Sequence, residues 1–145
     1  MKTGRIIARM AADMIKEVSL ELGGKNPIII FPDADPEKAA NLAIKGMNLN
    51  REGQSCSSTS SIFVPEVLHD DVIECLVANA EELSVGMPWY EGTEVGPLVS
   101  EEQFERVVAF FESGRDQGAR LLTVGGRPER EELDGGFYWS RRSST

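Results

Sequence analysis

The chain has 145 residues, 41% of them hydrophobic and 27% charged, which is ordinary usage for about one globular domain with a real core. Lys and Arg number 15 against 24 Asp and Glu, a formal net charge of -9, which argues against a nucleic-acid backbone or an anionic membrane as partner. Two cysteines make no disulfide framework and suit a reducing, cytoplasmic compartment. No apolar run is long enough for a bilayer, and no signal peptide is read at the N-terminus.

Ile6, Ile7, Met10, Ala11, Met14 and Ile15 recur at helical spacing and predict an opening helix with one apolar stripe. It feeds a strand around Val18–Leu22, ending in the carboxylate of Glu21 and the pair Gly23-Gly24. Pro27–Phe31 does not alternate and reads as a buried strand. Asp35 as N-cap, Pro36 at the first helical position and Glu37 in the first turn start a helix to about Met47.

Asn48–Ser58 is polar, contains Gly53, and reads as a loop or strained turn. Thr59–Val64 leans to β and stops at Pro65, after which a helix buries Leu68, Val72, Cys75, Leu76 and Ala80. Ser84–Leu98, with Gly86, Pro88, Gly92, Gly96 and Pro97, is a long surface loop. Ser100 and Gln103 fit a capping box ahead of the helical set Phe104, Val107, Val108 and Phe111. Arg120–Val124 reads as a last strand, and Arg127–Thr145 as a charged, Gly/Ser-rich tail with no periodic core face. Helices alternating with short apolar strands predict an α/β fold, three-layer, with a mainly parallel sheet and flanking helices.

Two stretches carry chemistry. Cys56 lies in Gly53-Gln54-Ser55-Cys56, where small neighbours leave a thiol reachable for nucleophilic attack. The competing reading is an inert, buried cysteine, and the local sequence alone favours it. Cys75, on the apolar face of its helix, reads as structural. Glu21 reads either as a general base with its pKa raised by burial, or as a structural carboxylate satisfied by Lys25 or backbone N–H groups. His69, the one histidine, reads as solvated surface. No metal-ligand spacing and no phosphate-loop pattern is present.

Taken together, Leu20-Glu21-Leu22-Gly23-Gly24-Lys25-Asn26-Pro27 and Gly53-Gln54-Ser55-Cys56 resemble the aldehyde dehydrogenase superfamily. Its two signatures are a glutamate in Leu-Glu-Leu-Gly-Gly-Lys and a cysteine in Gly-Gln-x-Cys, a few tens of residues apart, as here. Phe31-Pro32-Asp33-Ala34-Asp35, Ile62-Phe63-Val64 and Gly96-Pro97-Leu98-Val99 extend the likeness. Gly4-Arg5 is similar to the segment after the family's Phe-Thr-Gly-Ser nucleotide loop. The match runs from about Gly4 to Tyr138.

The resemblance implies oxidation of a small-molecule aldehyde to an acid with NAD or NADP. Cys56 would attack the carbonyl, hydride would pass to the nicotinamide, and Glu21 would activate water against the resulting thioester. The Cys56 backbone N–H would donate one oxyanion bond. Leu22 and Gly23 would lie beside the nicotinamide as cofactor-binding residues. Residues 1–22 would be the tail of the nucleotide-binding domain and 23–145 a partial catalytic domain. The full-length enzyme would be a homo-oligomer.

The departures set further expectations. The upstream nucleotide-binding strands, the oxyanion asparagine, the downstream Glu-x-Phe-Gly-Pro segment and the oligomerisation strands are not found. Residues 139–145 replace an expected Pro-Thr strand, which reads as a truncation or frame change. Arg51, Ser57 and Ser61 stand where the family more often has an aromatic or amide, a glycine and an arginine. The fragment alone is therefore expected to be weakly active or inactive. Two alternatives stay open: a CoA-acylating or semialdehyde relative, and a non-catalytic remnant that only packs against a partner.

Overall fold

The computed structural model describes residues 1–123 and 125–141. Helix α1, Lys2–Asp13, opens the chain. Strand β1, Asn26–Ile29, leads to α2, Pro36–Gly46. Asp35 caps α2 by accepting from the Lys38 N–H at 2.8 Å, and Pro36 sits in its first turn, as the sequence predicts. A 3-10 turn, Leu49–Arg51, precedes the Cys56 loop. Strand β2, Thr59–Phe63, follows, then a 3-10 turn at Glu66–Leu68 that runs into α3, His69–Glu82. Helix α4, Glu101–Asp116, is capped by Ser100, whose hydroxyl accepts from the Gln103 N–H.

Strands β1 and β2 pair in parallel, with Ile28 opposite Ile62 and Ile29 opposite Phe63. The connection between them contains α2, the arrangement a parallel pair requires. Ile28 and Thr59 face α2 so closely that Gly46 is needed between them: a Cβ there would lie 2.5 Å from Thr59 Oγ1. Helix α2 packs on α3 and touches β2. Ala40, Ala43 and Val72 are fully buried at this seam. The opposite face of the sheet is also apolar, but it is open: Ile29 is 63% exposed, Phe31 67% and Phe63 60%. The non-alternating run thus marks a strand with two apolar faces, of which this chain covers one.

Three expectations change. Val18–Leu22 is irregular, because no neighbouring strand among the described residues supplies its ladder. Its leucines instead fold back on α1, where a Cβ on the buried Gly4 would meet Leu22 at 2.8 Å and Leu20 at 3.7 Å. Residues 120–123 are irregular too, and Val124 lies outside the described residues. The short β3, Gly125–Gly126, pairs antiparallel with β4, Ser140–Arg141. The apolar stripe of α1 is mostly exposed at Ile6, Ile7, Met10 and Met14, with Ala11 buried.

The C-terminal stretch corrects the expectation of a coreless tail. Leu133 and Tyr138 are each only 2% exposed. The Leu98 N–H donates to the Phe137 carbonyl at 2.9 Å. Trp139 stands edge-on to Phe104 and Phe111 of α4, with ring centroids 5.9 and 5.3 Å apart. Local periodicity misses this segment because its apolar residues are single anchors spaced along irregular chain. Residues 142–145 of the atypical tail lie outside the described residues.

Candidate active site

The polar stretch after α2 forms a tight turn rather than an open loop. Asn48, Glu52 and Gly53 have positive φ of 53°, 52° and 69°. Glycine takes that conformation freely, whereas Asn48 and Glu52 take it at a cost and are held there by local bonds. The Gly53 N–H donates to the Asn48 carbonyl, and the Gln54 N–H to the Arg51 carbonyl at 2.8 Å. Ser58 Oγ donates to the Gly53 carbonyl at 3.2 Å, and Ser55 and Ser57 share a 3.0 Å hydroxyl contact. Cys56 is carried at the crown of this turn, exposed and free. Its backbone N–H has no acceptor among the described residues.

The second signature stretch meets this turn. Asn26 Nδ2 donates to the Cys56 carbonyl at 2.9 Å and to the Ser58 carbonyl at 3.3 Å. A Cβ on Gly24 would lie 3.9 Å from the same Cys56 oxygen. Glu21 lies between Leu20 and Leu22, which pack on Gly4, and it is exposed. The burial expected to make it a strong base is therefore not provided by these residues, because the buried strand it was placed on does not form. Leu22 and Gly23 are also exposed. A Cβ at Gly23 would meet nothing within 4 Å, so a flat ring can lie against this backbone.

The base of the turn is tied to the loop that follows α3. Glu52 Oε1 accepts from the Gly96 N–H at 3.0 Å, and Glu52 Oε2 from Gln54 Nε2 at 3.1 Å. Gln54 Oε1 accepts from the Val99 N–H at 3.2 Å. Beyond Glu52 lies Tyr138, whose hydroxyl donates to Met87 Sδ at 3.3 Å. Burial pushes the Tyr138 phenol above its ordinary 10.0; the Arg130 guanidinium opposes this and the Glu52 carboxylate adds to it.

The other candidates stand apart. Cys75 is half-buried on α3, in keeping with a structural role. His69 is exposed and its Nδ1 meets Asp70 Oδ1 at 2.8 Å. No cluster of three metal-ligating side chains exists among the described residues. No helix among them is long and apolar enough to cross a membrane. The contacts of Asn26, Glu52 and Gly96 escape sequence reasoning because the partners are tens of residues away; the motifs include Asn26 and Gly96 but do not say what they touch.

A parallel strand pair backed by helices, with a thiol-bearing turn fastened to the start of its first strand, defines part of an α/β domain. The chain belongs to the aldehyde dehydrogenase family, whose model matches residues 1–140. It is 40% identical over 139 residues to a betaine aldehyde dehydrogenase of Bacillus subtilis, covering 96% of this chain and 28% of that enzyme. It is 45% identical over 121 residues to aldehyde dehydrogenase family 2 member C4 of Arabidopsis thaliana, covering 83% of this chain and 24% of that one. An NAD+ complex of an aldehyde dehydrogenase from Bacillus cereus superposes with a TM-score of 0.80 at 41% identity, over 95% of this chain and 27% of that one. Betaine aldehyde dehydrogenase from Staphylococcus aureus, with NAD+, gives 0.85 at 34% identity, over 96% and 27%. The chain thus spans about a quarter of the length of these relatives.

Proposed function

We propose that this chain carries the two chemical residues of an aldehyde dehydrogenase: Cys56 as nucleophile and Glu21 as general base. The observation that supports the reading is the Asn26 bridge, which ties the residue at the end of the Glu21-bearing signature to the Cys56 turn. Cys56 Sγ, as the thiolate, attacks the carbonyl carbon of a small aldehyde, and the oxygen takes the charge of the broken π bond. The unoccupied Cys56 N–H is one donor for that oxygen. After oxidation, the acyl group is held on Cys56 as a thioester. Glu21 takes a proton from water, the hydroxide adds to the thioester, and the acid leaves as the thiol is restored.

A nicotinamide cofactor, NAD+ as in the superposed relatives, would be held against Leu22 and Gly23 and supply the hydride acceptor. Met1 to Leu22 then serve as the end of a nucleotide-binding part, and Gly23 onward as part of a catalytic one. Two free cysteines suit a cytoplasmic setting. The relatives' names put betaine aldehyde and hydroxyisobutyraldehyde in the substrate class. Assembly with further copies belongs to this reading as well.

The test is mass spectrometry of the Cys56 peptide in a full-length enzyme that contains this segment, after incubation with NAD+ and betaine aldehyde. An acyl mass on that peptide, accumulating in Glu21→Gln and absent in Cys56→Ser, is expected. Neither an adduct nor reduced cofactor in any variant would overturn the reading.

A further inference from the structure

We propose that Glu52 and Gln54 are positioning residues, forming one polarity-matched hydrogen-bond chain that holds the Cys56 turn against the Gly96–Val99 segment. The chain runs from the Gly96 N–H to Glu52, from Glu52 to the Gln54 amide, and from there to the Val99 N–H. Both of its ends are backbone donors. A row of bonds with a donor at each end needs one member that only accepts, and an ionised carboxylate is such a group. Gln54 then has a single workable orientation, with Nε2 toward Glu52 and Oε1 toward Val99. That orientation carries the polarity across 44 and 45 residues of sequence.

Two further observations belong to the same device. Glu52 has a φ of 52°, a conformation a glutamate adopts only when its surroundings hold it there. Gly96 approaches so closely that a Cβ on it would lie 3.0 Å from Glu52 Oε1. The turn is thus gripped at its base by this clamp and at its crown by Asn26, with Cys56 between the two holds. The inference rests on Cys56 as nucleophile for its meaning, but the clamp is tested without turnover.

Glu52→Gln puts an amide where the acceptor-only group stood. To meet it, Gln54 must turn over, and its Nε2 then faces the Val99 N–H, donor to donor. Gln54→Glu instead sets two carboxylates against each other. The exchanged pair, Glu52→Gln with Gln54→Glu, restores a consistent row: Gly96 N–H to amide oxygen, amide nitrogen to carboxylate, carboxylate from Val99 N–H. It also keeps composition and net charge unchanged.

The experiment measures two quantities on the parent chain, both single variants and the exchanged pair. One is hydrogen exchange at the Gly96 and Val99 amides. The other is iodoacetamide alkylation of Cys56, with the Cys75 peptide as internal control. In either single variant, one of the two amides should exchange about tenfold faster, as expected for a lost hydrogen bond. Cys56 alkylation should move toward the rate of the denatured chain while Cys75 stays put. The exchanged pair should return both readouts to the parent values. Should a single variant unfold, Cys75 reports it, and recovery in the exchanged pair still decides. An exchanged pair no better than the singles, or single variants with the parent's Cys56 rate, overturns the proposal. A full-length enzyme containing this segment that never acylates Cys56 would defeat the enzymatic reading and leave this pattern intact.

Discussion

The Asn26 side chain spans the distance between the two signature stretches, donating to the Cys56 carbonyl at 2.9 Å. The same amide nitrogen reaches the Ser58 carbonyl at 3.3 Å, so one side chain holds the turn at Cys56 and again two residues beyond it. It sits at the first residue of β1, a position fixed by pairing with Thr59. Strand, turn and nucleophile are therefore mechanically one piece.

Asn26→Asp replaces that donor with an acceptor facing two carbonyls. The expected cost is about 1–2 kcal/mol, the loss of a hydrogen bond plus an unfavourable contact. Urea unfolding should show a lower midpoint at unchanged slope. Amides of 55–58 should exchange faster than those of α2.

Gly46→Ala would improve intrinsic helix propensity by roughly 1 kcal/mol in an open helix. Here the added methyl lies 2.5 Å from Thr59 Oγ1, on a stiff β-branched side chain. Overpacking should win, with a net loss of about 1–3 kcal/mol. Thermal unfolding of Gly46→Ala, alone and with Thr59→Ala, checks this; the second change should recover most of the loss.

Thr59 Oγ1 is itself buried without a hydrogen-bond partner among the described residues. Thr59→Val keeps the branched shape and removes the unpaired hydroxyl. Stability should rise by about 1 kcal/mol, the desolvation cost recovered. An unchanged or lower unfolding midpoint would show that the hydroxyl has a partner in solution.

Tyr138 gives the fold an alkaline limit. Its phenol loses a proton less readily folded than unfolded, chiefly through burial. The folded state therefore holds that proton more tightly, and the gain is complete below the unfolded value of 10.0. As pH rises past that value toward the higher folded one, the unfolded chain is the first to release the proton, and stability falls. Urea midpoints should decline above about pH 10 in the parent. The decline should be shallower in Tyr138→Phe, since other groups still titrate there.

The sequence announces what short range decides. Asp35-Pro36-Glu37 and Ser100 start their helices where the capping pattern puts them. Strand β1 and the Cys56 turn are legible for the same reason, since each is bounded by Pro or Gly. Val18–Leu22 is misread because a strand is a property of its neighbour as much as of its residues. The burial expected at Glu21 disappears with it. Leu133, Tyr138 and Trp139 are missed because isolated anchors leave no period. The Glu52–Gly96 and Asn26–Cys56 contacts lie beyond any local pattern, although the motifs point to the right neighbourhood.

The open sheet face has a colloidal consequence. Ile29, Phe31 and Phe63 offer apolar surface to any second copy, while a net charge of -9 pushes copies apart. Added salt shortens the reach of the repulsion from about 30 Å at ~0.01 M to about 3 Å at ~1 M. It does not weaken the apolar attraction. Ionic strength therefore helps decide whether the chain stays dispersed, and light scattering should climb steeply as salt is raised.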